Sequence, residues 1–287
     1  MVTPQQEAIL RGGCFIGTLL LVAVWELLAP RRPLTQSKPL RWFSNLGLAV
    51  LNSVVWRLPI PAGAIGLALG VQARGWGLFN CVTLPEWFEV VTSVVLFDLA
   101  VYAQHWVFHR IPWLWRLHLV HHVDLDFDAT TGIRFHTIET LLSFAWKGVV
   151  IVLLGPATLA VMTFEILLNA TALFNHGNVR LPLSLDRVLR WVLVTPDMHR
   201  VHHSVEDCET NSNFGFCLPW WDFMFRTYRA QPAAGHAELV VGRREYRTAD
   251  TARLWFLLCL PFRRRLPLSP CHQPKSSALN TEAQPRD

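Results

Sequence analysis

Long apolar runs dominate the chain, and their lengths suit helices that cross or deeply enter a lipid bilayer. Ile9 to Leu28 is apolar except for Arg11 and Glu26, and Pro30 with Arg31-Arg32 closes it. Leu46 to Val71 is a second run, interrupted by Arg57, Pro59 and Pro61. Proline removes a helix hydrogen bond, so this run is expected to be kinked or broken into two pieces. Trp87 to Phe108 is the third, and His105 and His109 fall in its final turn. Leu141 to Leu154 and Ala157 to Phe174 form a last pair split by Gly155-Pro156, read as a hairpin. The pattern predicts an all-α, polytopic membrane protein with four to five apolar helices.

The ends of the runs suggest an orientation. Arg31, Arg32, Lys38 and Arg41 make the loop after the first run the most basic short loop, which places it in the cytoplasm. The first run lacks a basic start and a small-residue cleavage site, so it reads as a retained anchor rather than a signal peptide. Two further crossings return the chain to the cytoplasm near His109, and the hairpin returns it again after Phe174. Near the end, Leu254 to Phe262 followed by Arg263-Arg264-Arg265 reads as a short interfacial anchor. The polar, Pro/Ser-rich tail from Leu266 reads as disordered.

Composition agrees. Of 287 residues 52% are hydrophobic and only 16% are charged, against about 25% in soluble globular domains. Six scattered cysteines form no C-x-x-C pair, which argues against a disulfide framework or a thiolate metal site. A net charge of +5, with arginines at the ends of apolar runs, suits lipid headgroups and shows no nucleic-acid stripe.

The candidate chemistry lies in three histidine clusters: His105-Trp-Val-Phe-His109, His118-Leu-Val-His121-His122 and His199-Arg-Val-His202-His203. On helices, spacings of three and four put imidazoles on one face. Imidazole ligates iron, zinc, copper or nickel, and eight exceed what one ion takes, so two metals are the economical reading. Trp106 follows His105, so the H-E-x-x-H of a zinc protease is absent. Structural zinc closes with four ligands and haem uses one or two histidines, so neither fits. Two irons held by imidazole can use dioxygen to attack an unactivated C–H bond, a step beyond ordinary side-chain acids and bases.

From Asp98 to Tyr228 the residues resemble the integral-membrane fatty acid hydroxylase/sterol desaturase superfamily. The resemblance begins with Asp98, Tyr102, His105, His109-Arg110 and Trp113-Leu114-Trp115-Arg116-x-His118-x-x-His121-His122. It continues through Thr131-x-x-Arg134-x-His136-x-x-Glu139 and Asn175-His176. It ends with Thr195-Pro196-x-x-His199-Arg200-x-His202-His203-Ser204, Asn213-Phe214-Gly215, Trp221-Asp222 and Thr227-Tyr228. Three positions depart from the family pattern: Thr137 where proline is usual, Val123 where serine is common, and Arg226 in place of glycine.

The resemblance implies a non-haem di-iron centre; the count of crossings places it on the cytoplasmic side, and imidazole sites let zinc replace iron on purification. It implies a lipid substrate, dioxygen, and electrons from NAD(P)H through a separate ferredoxin- or cytochrome b5-type carrier with its reductase. The eight clustered histidines match the implied ligands, with His136 and His176 as further candidates. Asp98, Glu139 and Asp222 are candidate carboxylates that orient a histidine through a hydrogen bond. The implied division is an anchor region over 1–85, a catalytic domain over 86–230, an interfacial segment over 231–265 and a tail over 266–287. Two rivals remain at this stage: an acyl-lipid desaturase, which uses similar histidine spacings, and a histidine-rich membrane protein that stores or senses metal.

Overall fold

A computed structural model of the chain describes residues 4–58 and 62–263. Among these residues all regular elements are helical, with two isolated β-bridges, Pro30 with Val179 and Ser204 with Val241. The first half runs α1 (Pro4–Leu28), α2 (Lys38–Val55), α3 (Gly63–Ala73), α4 (Glu86–Arg110), α5 (Pro112–His122) and α6 (Thr137–Leu154). The second runs α7 (Thr158–Asn175), α8 (Leu183–Leu189), α9 (Pro196–His202), α10 (Asp207–Thr210), α11 (Trp220–Met224), α12 (Gly235–Glu238) and α13 (Leu254–Cys259).

Among the described residues four helices are long and apolar enough to cross a membrane: α1 from Gln6, α4, α6 and α7. The second apolar run is broken, as its prolines predict. It forms α2 and α3, and residues 59–61 lie outside the described part. α2 has its polarity reversed relative to a soluble helix. Arg41, Ser44, Asn45 and Asn52 are buried, whereas Phe43, Val50 and Val54 are exposed. That arrangement is stable only where the surroundings are apolar, because exposing a row of large side chains to water is unfavourable.

The helices share a common polarity. Asn80 donates to the Gly155 carbonyl, and Glu89 accepts from the Ala157 N–H, so these residues mark one end. Gly155 makes the α6–α7 turn with φ +62°, and a Cβ there would stand 2.3 Å from the Trp76 carbonyl oxygen. Only glycine fits. At the opposite end, Glu26 accepts from the backbone N–H groups of Ala129 and Asn178, beside the histidines. With α6 rising about 1.5 Å per residue over its 18 residues, the two ends stand roughly 27 Å apart.

Apolar clusters fasten the bundle. Phe97 of α4 stacks on Phe164 of α7 at 5.0 Å, among Ala68, Val71 and Ile151. Val22 of α1 packs with Leu173 and Val179. Trp115, Leu119 and Val120 of α5 pack with Leu48 of α2 and with Phe256, Leu257 and Leu260. The Leu254–Phe262 segment therefore does more than anchor at an interface. One face closes the core behind α5, while Trp255 and Phe262 stay exposed. The disorder expected from Leu266 onward falls outside the described residues.

Relative sidedness can be tested directly. Reporters fused after Arg41 and after Tyr228 are expected to read the same side of the membrane, and one at Asn80 the other. A reporter at Asn80 that reads with the other two would overturn this arrangement of helices.

Candidate metal centre

Nine buried histidines converge at the end of the bundle where α4, α5, α7 and α9 meet. They form two groups whose ligand atoms lie within 4.8 Å of one another. The first holds His105, His109, His118, His122 and His202; the second holds His121, His176, His199 and His203. Among the described residues no Asp, Glu or Cys joins either group.

Helix geometry explains the split. Residues four apart share a face, whereas adjacent residues diverge by about 100°. His105 and His109 of α4, and His118 and His122 of α5, are therefore pairs serving the first group, while His121 turns to the second. On α9 the pattern reverses: His199 and His203 serve the second group, and His202 the first. Each H-x-x-H-H cluster thus supplies both groups from one short helix. Local signals set those helices. Pro112 and Pro196 occupy the first turns of α5 and α9, and the Thr195 hydroxyl accepts from the Met198 N–H.

The groups adjoin. The His122 and His203 rings stack at 4.6 Å, and those of His199 and His202 at 5.1 Å. The second nitrogen of several rings is committed elsewhere. Nδ1 of His105 meets the Phe214 carbonyl at 2.9 Å, that of His202 the Ser212 carbonyl at 2.7 Å, and that of His176 the Ala172 carbonyl at 2.8 Å. His118 Nδ1 meets Glu139 Oε1 at 2.6 Å. Nδ1 must be the protonated donor toward a carbonyl, so Nε2 of His105, His202 and His176 carries a lone pair that points inward.

That inward side fits a metal. Nε2 of His105, His118, His202 and His203 is buried without a hydrogen-bond partner, as are both ring nitrogens of His122. Nε2 of His176 lies 3.1 Å from Nε2 of both His121 and His199. Nitrogens bound to one ion at about 2.0–2.1 Å come to stand roughly 3.0–3.4 Å apart, so this spacing, which also suits an N–H···N hydrogen bond, fits ligands around a shared cation. The protonation state agrees. Burial, reinforced by the neighbouring rings, holds His121, His122, His199, His202 and His203 well below the ordinary imidazole value. Burial alone pushes His118 down to about 3. All six are neutral at pH 7, the form that ligates metal.

The remaining sequence candidates fall elsewhere. His136 stands outside both groups; its Nδ1 accepts from the Ile138 N–H at the start of α6, and its Nε2 faces the Leu258 carbonyl. Its ring works as a helix cap. Asp98 touches no histidine in either group. It accepts from the backbone of Cys217 and Leu218 and from the Trp221 indole. Asp222 accepts from the backbone of Phe214 and Gly215 and from the Thr227 hydroxyl. Both carboxylates thus fix the 212–222 loop, whose carbonyls hold His105 and His202. Only indirectly do they orient imidazoles. Glu139 does so directly, through His118.

Sequence reasoning missed other supports. Arg41, wholly buried on α2, forms two bonds of 2.8 Å to Asp124 and one of 2.5 Å to Asp128. Burial raises the Asp124 pKa, but Arg41 and Arg134 outweigh it and hold this carboxyl well below its usual range. Asp126 accepts from the backbone of Thr35 and Gln36. The Asp124-x-Asp126-x-Asp128 run resembles a cation loop in sequence, yet arginine and backbone donors fill it. Phe135 stacks on His121 at 4.6 Å. Gly132 allows α7 to approach, since a Cβ there would stand 2.3 Å from the Ala172 oxygen and 3.1 Å from His176 Nδ1. His236, outside the clusters in sequence, is buried 3.8 Å from Asp197 at the start of α9.

Residues 90–227 match the fatty acid hydroxylase family. The chain is 26% identical to the ornithine lipid hydroxylase OlsE of Rhizobium tropici, over 78% of this chain and 69% of that protein. It is 28% identical to an alkylglycerol monooxygenase of Xenopus tropicalis, over 67% of this chain and 42% of the relative. It is 29% identical to the cholesterol 25-hydroxylase of Mus musculus, over 50% and 48%. No solved structure matches the chain. The nine histidines of the two buried groups lie inside the segment that matches the fatty acid hydroxylase family, and the likeness to these hydroxylases and monooxygenases is that expected of the fatty acid hydroxylase/sterol desaturase superfamily.

Proposed function

We propose that this protein is a membrane-bound, O2-dependent di-iron hydroxylase of a lipid. The observation that carries the reading is the pair of all-histidine groups, one of five imidazoles and one of four, side by side with unpartnered nitrogens turned inward. Each group has enough donors for one ion. The names of the relatives, all hydroxylases or a monooxygenase, favour insertion of oxygen over desaturation. His105, His109, His118, His122 and His202 would hold one iron, and His121, His176, His199 and His203 the other.

Iron at these positions would supply what side chains cannot: activation of dioxygen, so that one oxygen atom enters a C–H bond and the other leaves as water. Two electrons and two protons must come from outside. The chain has no G-x-G-x-x-G dinucleotide loop, so a separate ferredoxin- or cytochrome b5-type carrier with its reductase is the proposed source. The chain's own residues set the ligand geometry. Glu139 and the carbonyls of Phe214, Ser212 and Ala172 take the outer ring protons and so keep Nε2 free for metal. Phe214, wholly buried, packs against His105, His109 and His202 at 5.1–5.5 Å and excludes water on that side. The proposed site faces the cytoplasm, on the strength of the basic Arg31–Arg41 loop at the same end.

Metal content tests the reading first. Protein from iron-replete cells is expected to hold two metals per chain, zinc counting with iron because imidazole accepts both. A reproducible value of one, or loose binding of many ions, argues for a different role, the latter for storage.

The histidines separate into ligands and supports. His176→Ala is expected to behave like His203→Ala, with one metal lost and turnover abolished, whereas His136→Ala keeps both metals at some cost in stability. Gly132→Ala should mimic His176→Ala, because its methyl displaces the Ala172 carbonyl that fixes that ring. Glu139→Gln is expected to weaken metal binding by about 10–100-fold. Retention of two metals in His176→Ala would remove that residue from the ligand set.

Lipid profiling of cells with and without the gene names the substrate and the product. A lipid that gains one oxygen only in the presence of the protein is expected. A product with a new double bond and no added oxygen would move the assignment to desaturation.

A further inference from the structure

One surface of the molecule is both strongly apolar and outside the four candidate spans. It is built by α8 and α11, which meet where the Trp220 indole donates to the Trp191 carbonyl at 2.7 Å. The Trp191 and Phe223 rings also lie 5.9 Å apart. Leu183, Val188, Trp191 and Met224 are each between 64% and 69% exposed, and Trp220 and Phe225 are exposed beside them. A soluble surface scatters such residues singly; a contiguous set marks an interaction site.

Charge and position say what covers it. Along 180–194 and 219–229 both acidic side chains, Asp186 and Asp222, are buried in contacts of their own. The exposed charges are all basic: Arg180, Arg187 and Arg226. Tryptophan and arginine around an aliphatic centre match the headgroup layer of a bilayer, where rings sit at the boundary and guanidinium groups meet phosphate. The patch is continuous with the membrane-crossing part. Phe225 stacks on Tyr102 of α4 at 5.4 Å, one turn before His105, and α8 begins seven residues after His176. It therefore lies at the level of the histidine end of the bundle, where α4 and α7 leave the apolar zone.

We propose that the α8–α11 surface is a monotopic membrane contact that inserts into the headgroup layer on the histidine side, with Arg180, Arg187 and Arg226 binding anionic phospholipid. This contact is distinct from the four spans and independent of the reaction assigned above. It has a structural consequence for the site. Between the patch and the first histidine group stand Phe225, Tyr102 and Phe214 in successive ring contact, with Tyr102 and Phe214 centroids 6.3 Å apart and Phe214 5.5 Å from His105. The lipid surface would press on the aromatic wall that backs the metal groups. An acidic carrier protein could also use the basic rim, and a test without any such protein separates the two.

The experiment uses the full chain, cysteine-free, reconstituted in bilayers of phosphatidylcholine with and without phosphatidylglycerol. A nitroxide is placed at Val188→Cys, at Met224→Cys or, as an aqueous control, at Arg244→Cys. Collision with oxygen, which partitions into lipid, is compared with collision with a water-soluble nickel chelate. The Val188 and Met224 labels are expected to favour oxygen severalfold more than the Arg244 label does, and more so with phosphatidylglycerol present. Arg187→Glu with Arg226→Glu should erase the dependence on the anionic lipid while leaving metal content unchanged. If both labels favour the nickel chelate as Arg244 does, the surface faces water and the proposal fails. If they favour oxygen but the arginine variant keeps its lipid dependence, the anionic-headgroup part fails.

Discussion

Burying nine imidazoles against one another is the constraint on which the rest of the structure depends. A neutral imidazole brings one N–H and one lone pair, and each costs free energy when buried without a partner. The fold deals with the two sides separately. On four of the rings the outer nitrogen meets a fixed partner: the carbonyls of Ala172, Ser212 and Phe214 for His176, His202 and His105, and the carboxyl group of Glu139 for His118. The inner nitrogens converge, and a cation among them would stabilise that arrangement. Two of the acceptors come from one loop, so that loop must be rigid. Asp98 and Asp222 take its N–H groups, and the Asn213 side chain bonds to the Met198 and Arg229 carbonyls while its own backbone sits at φ +53°. Asparagine tolerates that left-handed conformation better than most residues.

A second consequence is that the histidines need support from outside the segment matched to the family. Arg41, Asn45 and Glu26 precede residue 90, yet all three are buried within the histidine end. Arg41 neutralises Asp124 two residues after His122, Asn45 bonds to Thr130 and Arg134, and Glu26 ties Ala129 to Asn178. A buried ion pair is not strongly stabilising in itself. Removing one partner, however, leaves an uncompensated charge and costs about 3–5 kcal/mol. The Arg41 cluster thus fixes where α2 lies rather than how much stability it adds. It makes the N-terminal helices part of the site instead of a detachable anchor.

Much of this was legible in the sequence because it rests on local periodicity. The apolar runs mark α1, α4, α6 and α7, and Pro59 and Pro61 foretell the break between α2 and α3. The spacing of the clusters foretells that histidines share helix faces, since four-residue spacing acts within one helix. Their allotment to two groups was not legible, because it depends on how α4, α5 and α9 approach one another. Asp98 shows the limit well. Its seven-residue spacing from His105 suggested a direct bond, but the intervening partner, the Cys217–Trp221 stretch, is more than a hundred residues away in sequence. His136 misled for the converse reason. It sits in a motif with Glu139, yet it caps the helix whose first turn carries Glu139 to His118.

The donor set also bears on the electrostatics of the site. Neither group contains a carboxylate, so cations held there would keep most of their charge, unlike those of soluble bundles built from Glu and Glu-x-x-His ligands. Glu139 lies one hydrogen bond away through His118, and the nearby Asp124 is already matched by Arg41 and Arg134. In a dry, apolar setting uncompensated charge acts over a longer range than in water. The same feature explains why the fold saturates Asp124, Asp126 and Asp128 with arginine and backbone donors. Left free, three carboxylates beside His121 and His122 would compete with the imidazoles for the metal.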